Sequence, residues 1–271
     1  MRVARCIDEQ GRTRWIEATG ANRGIAYSGS GLFEGLTPTD EAVRVARWLA
    51  PVQPADVYGI GLNYRAHAAE TGAKLPETPV MFMKPSTAVT GPHSPILLPA
   101  ACDNGPEVDY EAELAVVIGR PGRNVPVDEA LDYVLGYTCA NDVSARRWQK
   151  HAGGGQWVRG KSFDTFCPLG PVLVTADEIP DPQCLAIHSV LNGATMQSSN
   201  TRDMIFPVAE LIAFISRDTT LLPGTVILTG TPEGVGFARK PPIFLADGDT
   251  IEVTVDGIGT LSNPVRNAPP S

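Results

Sequence analysis

At 271 residues the chain is long enough for one large domain, or a core with a small appendage, and it can bury a substantial interior without covalent staples. Its composition, 43% hydrophobic and 19% charged with 27 Gly and 24 Pro, fits a globular protein of short strands and many turns and argues against an all-helical bundle. A net charge of −8 excludes a general nucleic-acid surface. No apolar run approaches the ~18 residues of a membrane span and no basic-then-apolar leader opens the chain, so a cytoplasmic protein without membrane contact is expected.

Residues 2–18 read as a hairpin, with Asp8-Glu9-Gln10-Gly11 as the turn between strands at 3–7 and 14–18. Over residues 38–49, Ala42, Val43, Val45, Ala46 and Leu49 recur at helical spacing, with Thr37 or Thr39 available as a cap. Pro51 and Pro54 close that segment, which predicts a small N-terminal α/β domain at residues 1–50 and a larger one at 51–271. The remainder reads as α+β and strand-rich. Helices are expected at 63–71, ended by Gly72, and at 208–217. Strands are expected at 80–83, 112–118, 171–174, 225–229 and 250–255, the last followed by an Asp256-Gly257 hairpin turn. Five scattered cysteines with no C-x-x-C pair suggest buried, reduced thiols.

Glu111 and Glu113, with one residue between them in a strand-like run over 108–118, share a face. Either that face meets water or a cation neutralises the pair, because two buried carboxylates side by side do not both ionise cheaply. A third acid, Asp142, lies in a polar segment that continues to Arg146, Gln149 and Lys161. Three carboxylates suit a hard ion, Mg2+ or Mn2+, and the lack of His or Cys at ligand spacing disfavours zinc. Removing Asp142 is expected to abolish metal-dependent activity with little effect on the fold.

Residues 155–162 match the G-x-x-x-x-G-K-S pattern of a phosphate-binding loop, yet a polar run precedes them and Pro168 and Gly170 soon follow. The match is read as accidental, leaving Lys161 as a site cation. His67 and Glu70, three apart, would share one helical face, as a general base with its orienting acid or as an ordinary surface contact. His93, His151 and His188 have no comparable partner nearby.

Seven ordered motifs resemble the fumarylacetoacetate hydrolase family in its bacterial form with a small N-terminal domain. They run from Gly61-Leu62-Asn63-Tyr64-Arg65-Ala66-His67 and Phe82-Met83-Lys84-Pro85, through the Glu111/Glu113 strand and Asn141-Asp142-Val143-Ser144-Ala145-Arg146, to Gly160-Lys161-Ser162-Phe163-Asp164. Asn200-Thr201-Arg202-Asp203-Met204-Ile205-Phe206 and Leu228-Thr229-Gly230-Thr231-Pro232-Glu233-Gly234-Val235-Gly236 complete the set. The resemblance implies a mixed β-roll, a homodimer, and a lid formed by the segment that carries His67. It implies Glu111, Glu113 and Asp142 as ligands of Mg2+ or Mn2+, and His67, Glu70 and Lys161 as catalytic groups. Arg146, Gln149, Gly230 and Thr231 would hold a small 2-oxo acid. One departure is visible: where some members carry a tyrosine after Gln149, this chain has Gly153-Gly154-Gly155.

The activity so implied is metal-dependent hydrolysis of a C–C bond in an acylpyruvate. An oxaloacetate decarboxylase or a tautomerase on the same scaffold needs the cation and the enolate but no attacking water, and stands as the alternative. A non-catalytic binding paralogue would have no need of three acids, the histidine pair and Lys161 together.

Overall fold

The computed structural model describes residues 1–152 and 155–269, so Gly153 and Gly154 of the glycine run lie outside the described residues. Strands dominate, at 44% against 16% helix, which settles the class as α+β and strand-rich. The first four strands are β1 (Arg2–Asp8), β2 (Thr13–Gly20), β3 (Arg23–Gly31) and β4 (Gly35–Leu49). After them come β5 (Val57–Gly61), helix α1 (Arg65–Thr71) and β6 (Val80–Lys84), then the short strands β7 (Val89–Thr90), β8 (Ile96–Leu98) and β9 (Val108–Asp109). The centre holds β10 (Ala112–Ile118), β11 (Val134–Asn141), β12 (Ser144–Ala145), α2 (Arg146–Lys150), α3 (Val158–Lys161) and β13 (Cys167–Thr175). The chain ends with β14 (Ala186–Leu191), β15 (Ala194–Asn200), α4 (Val208–Ile215), β16 (Val226–Leu228), β17 (Thr250–Val255) and β18 (Gly259–Asn267).

One sheet of 11 strands runs β2-β3-β4-β1-β13-β11-β10-β16-β5-β6, with β7 added beside β13. A second sheet of five runs β15-β14-β17-β18-β8. Leu114, Val116 and Tyr137 of the first sheet meet Ile187, Val253 and Leu261 of the second, and α4 adds Leu211 and Ile212 to the same core. The opposite face of β10, through Ala115 and Val117, packs on Leu169, Val226 and Leu228. All seven residues of β10 are therefore buried, as expected of a strand covered on both sides.

The helix expected at 38–49 is a strand, and the N-terminal unit is all-β rather than α/β. Val43 and Val45 are buried while Ala42, Arg44 and Ala46 are exposed, which is a period of two. β-Branched residues on alternate positions outweighed an alanine pattern that also fits a helix. Pairing of β1 with β13, Arg2 opposite Val174 and Val3 opposite Leu173, makes these strands continuous with the central sheet.

Elsewhere the differences are at element ends. The 63–71 helix begins at Arg65 because the Asn63 side chain is occupied with the backbone of Phe206 and Thr229, and Gly72 closes it in the left-handed conformation, φ 66°. The 208–217 helix stops at Ile215. The 108–118 run is broken at Tyr110 and Glu111 into β9 and β10. The strand at 250–255 and its hairpin to β18 form as expected. Among the described residues, no helix is long and apolar enough to cross a membrane.

Candidate active site

Antiparallel pairing of β10 with β11 places Ala112 opposite Asn141 and Glu113 opposite Ala140. The residue after Asn141 therefore lies beside Glu111, and the Asp142 N–H donates to the Glu111 carbonyl at 2.9 Å. Asn141 Oδ1 in turn accepts from the Glu111 N–H at 2.9 Å, fixing the break before β10. Oxygens of Glu111, Glu113 and Asp142, all buried, come within 4.8 Å of one another.

Lys161 arrives from α3, which can approach α2 because residue 160 is glycine: a Cβ there would stand 2.5 Å from the Gln149 nitrogen. Its Nζ lies 2.6 Å from Glu111 Oε2 and 2.6 Å from Asp142 Oδ2. Lys84, at the end of β6, donates to Asp142 Oδ1 and to the Val143 carbonyl. Arg146 opens α2, with Nε 2.8 Å from Asp109 Oδ2, and Nη1 2.6 Å from Glu111 Oε1 and 2.9 Å from Gln149 Oε1. Asp109 also accepts from the N–H groups of Tyr110, Gly236 and Phe237, so it ties Arg146 to the backbone of the 236–238 turn.

Four carboxylates, Asp109, Glu111, Glu113 and Asp142, thus meet three cations, Lys84, Arg146 and Lys161. Among the described residues, Glu113 is the acid of this set with no cation in contact; it accepts from the Gly230 N–H at 2.7 Å. Gly230 adopts φ 99°, a left-handed conformation that glycine takes without strain and that aims this N–H inward. Burial, then repulsion from Asp142 and Glu111, pushes the Glu113 carboxyl well above its ordinary value. Burial also pushes Glu111 upward, but Lys161 and Arg146 outweigh it and hold Glu111 well below the usual range. The desolvated ammonium of Lys161 is favoured in turn by Asp142 and Glu111, so its pKa is raised and it stays charged. An all-oxygen set with one uncompensated acid is what a hard divalent cation neutralises, so the residues fit Mg2+ or Mn2+.

A cavity of about 250 Å³ opens on this cluster, lined among others by His67, Gln149, Lys150, Trp157, Thr231 and Phe237. His67 is buried on α1 with Nδ1 3.3 Å from Glu70 Oε2. Both Glu70 oxygens accept from the Gly234 N–H, at 3.0 and 3.1 Å. Burial works against the Glu70 anion, yet the His67 and Gly234 contacts outweigh it and lower its pKa. Thr231 Oγ1 donates to the Ala112 carbonyl and accepts from Gln197, so it anchors the turn from the cavity wall.

Every residue singled out from sequence thus reaches this one place, though Gly230 supports Glu113 and Arg146 is engaged by two acids. The phosphate-loop match has no strand before it, and its lysine points into the carboxylates. Sequence reasoning missed Lys84, Asp109, Lys150, Trp157 and Phe237. Lys84 was legible: it alternates with exposed Met83 and Met81 and so shares the inward face of Phe82. Asp109 and Phe237 meet Arg146 only through tertiary packing.

Residues 56–266 match the family model described as fumarylacetoacetate (FAA) hydrolase C-terminal. The mitochondrial oxaloacetate tautomerase of Xenopus laevis is 50% identical over 218 residues, which is 80% of this chain and 67% of that protein. A 5-carboxymethyl-2-hydroxymuconate delta-isomerase from Mycobacterium smegmatis shares the fold at TM-score 0.84 and 42% identity, over 99% of this chain and 100% of that one. A 2-hydroxyhepta-2,4-diene-1,7-dioate isomerase from Mycobacterium marinum does so at 0.84 and 41%, over 100% of both chains. The cytoplasmic expectation is corrected by the first of these, since a close relative is mitochondrial by name.

Proposed function

The chain belongs to the fumarylacetoacetate hydrolase family, and we propose that it is a divalent-metal-dependent tautomerase interconverting the keto and enol forms of a small 2-oxo acid of the oxaloacetate type. The observation that carries this reading is the convergence of three buried carboxylates and the His67–Glu70 pair on one small cavity. Relatives named tautomerase and isomerase favour it over the C–C hydrolysis that the family resemblance alone suggests.

Glu111, Glu113 and Asp142 would hold Mg2+ or Mn2+, which when bound supplies Lewis acidity toward a 2-oxo acid's carboxylate and carbonyl oxygens. The remaining chemistry falls to the chain's own side chains. With Glu70 ionised beside Nδ1, the imidazole proton is favoured at Nδ1, leaving Nε2 to take a proton from C3 or return it. As the C3–H bond breaks, its proton passes to His67 Nε2, the C2–C3 double bond forms and the C2 oxygen gains negative charge, which a proton from the His67 imidazolium, directly or through water, then cancels. The Lys161 ammonium stays protonated and offsets that charge. Gln149, whose oxygen accepts from Arg146, keeps its amide Nε2 to donate to the substrate.

Loss of enol absorbance on mixing enol-oxaloacetate with Mg2+-loaded protein tests the reading. Acceleration that EDTA removes is expected, with CO2 release and acylpyruvate cleavage followed in parallel. Keto–enol exchange at the spontaneous rate, alongside rapid acylpyruvate cleavage or CO2 release, would make the protein a hydrolase or decarboxylase instead.

A further inference from the structure

Helix α2 carries Arg146, Gln149 and Lys150, spaced i, i+3 and i+4, so all three sit on neighbouring positions and all three line the cavity. Their charges are used differently. Arg146 is paired with Asp109 and Glu111. Lys161 is likewise taken by Glu111 and Asp142. Lys150 is the cavity-lining cation with no acid or hydrogen-bond acceptor in contact among the described residues. Its Nζ stands 3.5 Å from the centre of the Phe237 ring, while the Arg146 guanidinium lies 4.4 Å from that ring. Partial burial, then the nearby Arg146, lowers the Lys150 pKa, against the more distant attraction of Asp109 and Glu111. The residue as a whole is exposed, placing it at the cavity mouth, away from the fully buried carboxylate end.

We propose that Lys150 reads the distal carboxylate of the substrate, making this cavity selective for short 2-oxo dicarboxylates over monocarboxylic 2-oxo acids of the same length. The inference rests on the 2-oxo acid reading of the site and adds the residue that sets its substrate class. A ligand whose 2-oxo acid head faces Glu111, Glu113 and Asp142 directs its other end toward the mouth, where an ammonium seated on an aromatic face is poised to accept an anionic partner.

Oxaloacetate and 2-oxobutanoate form a matched pair of probes, differing by a carboxylate in place of a methyl. Affinity of each for Mg2+-loaded protein can be read by rapid-mixing tryptophan fluorescence, since Trp157 lines the cavity. Lys150→Gln is expected to weaken oxaloacetate roughly 10- to 100-fold, the worth of a hydrogen bond to a charged group. The loss for 2-oxobutanoate should be far smaller, and Lys150→Arg should restore most of the dicarboxylate affinity. Equal losses for the two probes, or wild-type protein that binds both equally well, would overturn the role of Lys150 and leave the 2-oxo acid reading standing. Wild-type protein that binds neither would overturn both.

Discussion

Replacing Asp142 by alanine should destabilise the site as well as silence it, contrary to the sequence-based expectation of little effect on the fold. The Asp142 carboxylate is buried against the Nζ atoms of Lys84 and Lys161, whose side chains are 0% and 2% exposed. Lys161 keeps Glu111 at 2.6 Å after the change, but Lys84 is left with only the Val143 carbonyl at 3.2 Å. One buried ammonium without a counter-ion costs about 3–5 kcal/mol, the usual penalty for removing one partner of a buried pair. At roughly 2–4 °C per kcal/mol for chains near this size, the Tm should fall by about 6–20 °C. Thermal and urea unfolding in EDTA isolates this effect, because bound metal would add its own stabilisation by mass action. Lys84→Met combined with Asp142→Ala removes both partners and should recover a large part of the loss, a coupling that a double-mutant cycle measures. An Asp142→Ala protein within about 1 kcal/mol of wild type, or a double mutant as unstable as the summed singles, would refute the assignment of Asp142 as the counter-ion of Lys84.

His67→Ala should slow keto–enol exchange by ~10²–10⁴-fold while calorimetry shows Mg2+ affinity retained, and Glu70→Gln should fall between; a matching loss of Mg2+ affinity would give His67 a structural role instead. Glu70 also sets an acid-side dependence. Its folded pKa lies below its unfolded value of about 4.3, so its contribution is fully present above that pH and is lost as pH falls through the folded value. Hydrogen exchange at the Gly234 amide should therefore lose protection at the acid end, and Glu70→Gln should remove that dependence; protection unchanged down to acid unfolding would contradict it. Burial pushes the thiol of Cys6 up to about 11, and those of Cys102, Cys139 and Cys167 up to about 12. Alkylation of native protein near neutral pH, read by peptide mass spectrometry, should mark exposed Cys184 first, and equal labelling of Cys139 would show the core to be open.

The candidate site was largely legible in sequence because its residues obey local rules. Glu111 and Glu113 sit two apart on an extended segment, His67 and Glu70 three apart on a helix, and the polar cluster around Asp142 follows a long apolar strand. The pairs that hold these groups were not legible. Asp109 reaches Arg146 across 37 residues and Lys84 reaches Asp142 across 58, through sheet order that no local pattern encodes. Periodicity failed once in the fold, at residues 38–49, where alanines at helical spacing masked the alternation of Val43 and Val45. Exposed alanine on the outer face of a strand carries no packing signal, so the valines alone marked the inward face.

The balance of charge at the site bears on the order in which ligands enter. Without a metal, the four carboxylates and three cations sum to one negative charge, or to neutrality when Glu113 holds the proton that burial and its neighbours favour. Neither state attracts a 2-oxo dianion into a protein that already carries a net charge of −8. A divalent cation held by Glu111, Glu113 and Asp142 would displace that proton and turn the same cluster net positive, so on the proposed reading metal binding is expected to release protons and to precede substrate. The ammonium of Lys150 at the mouth then adds to a field of the right sign instead of competing with one of the wrong sign. The three internal cations do not serve as metal surrogates in this scheme. They pair with Asp142, Asp109 and Glu111 and, among the described residues, leave Glu113 as the acid without a cation in contact.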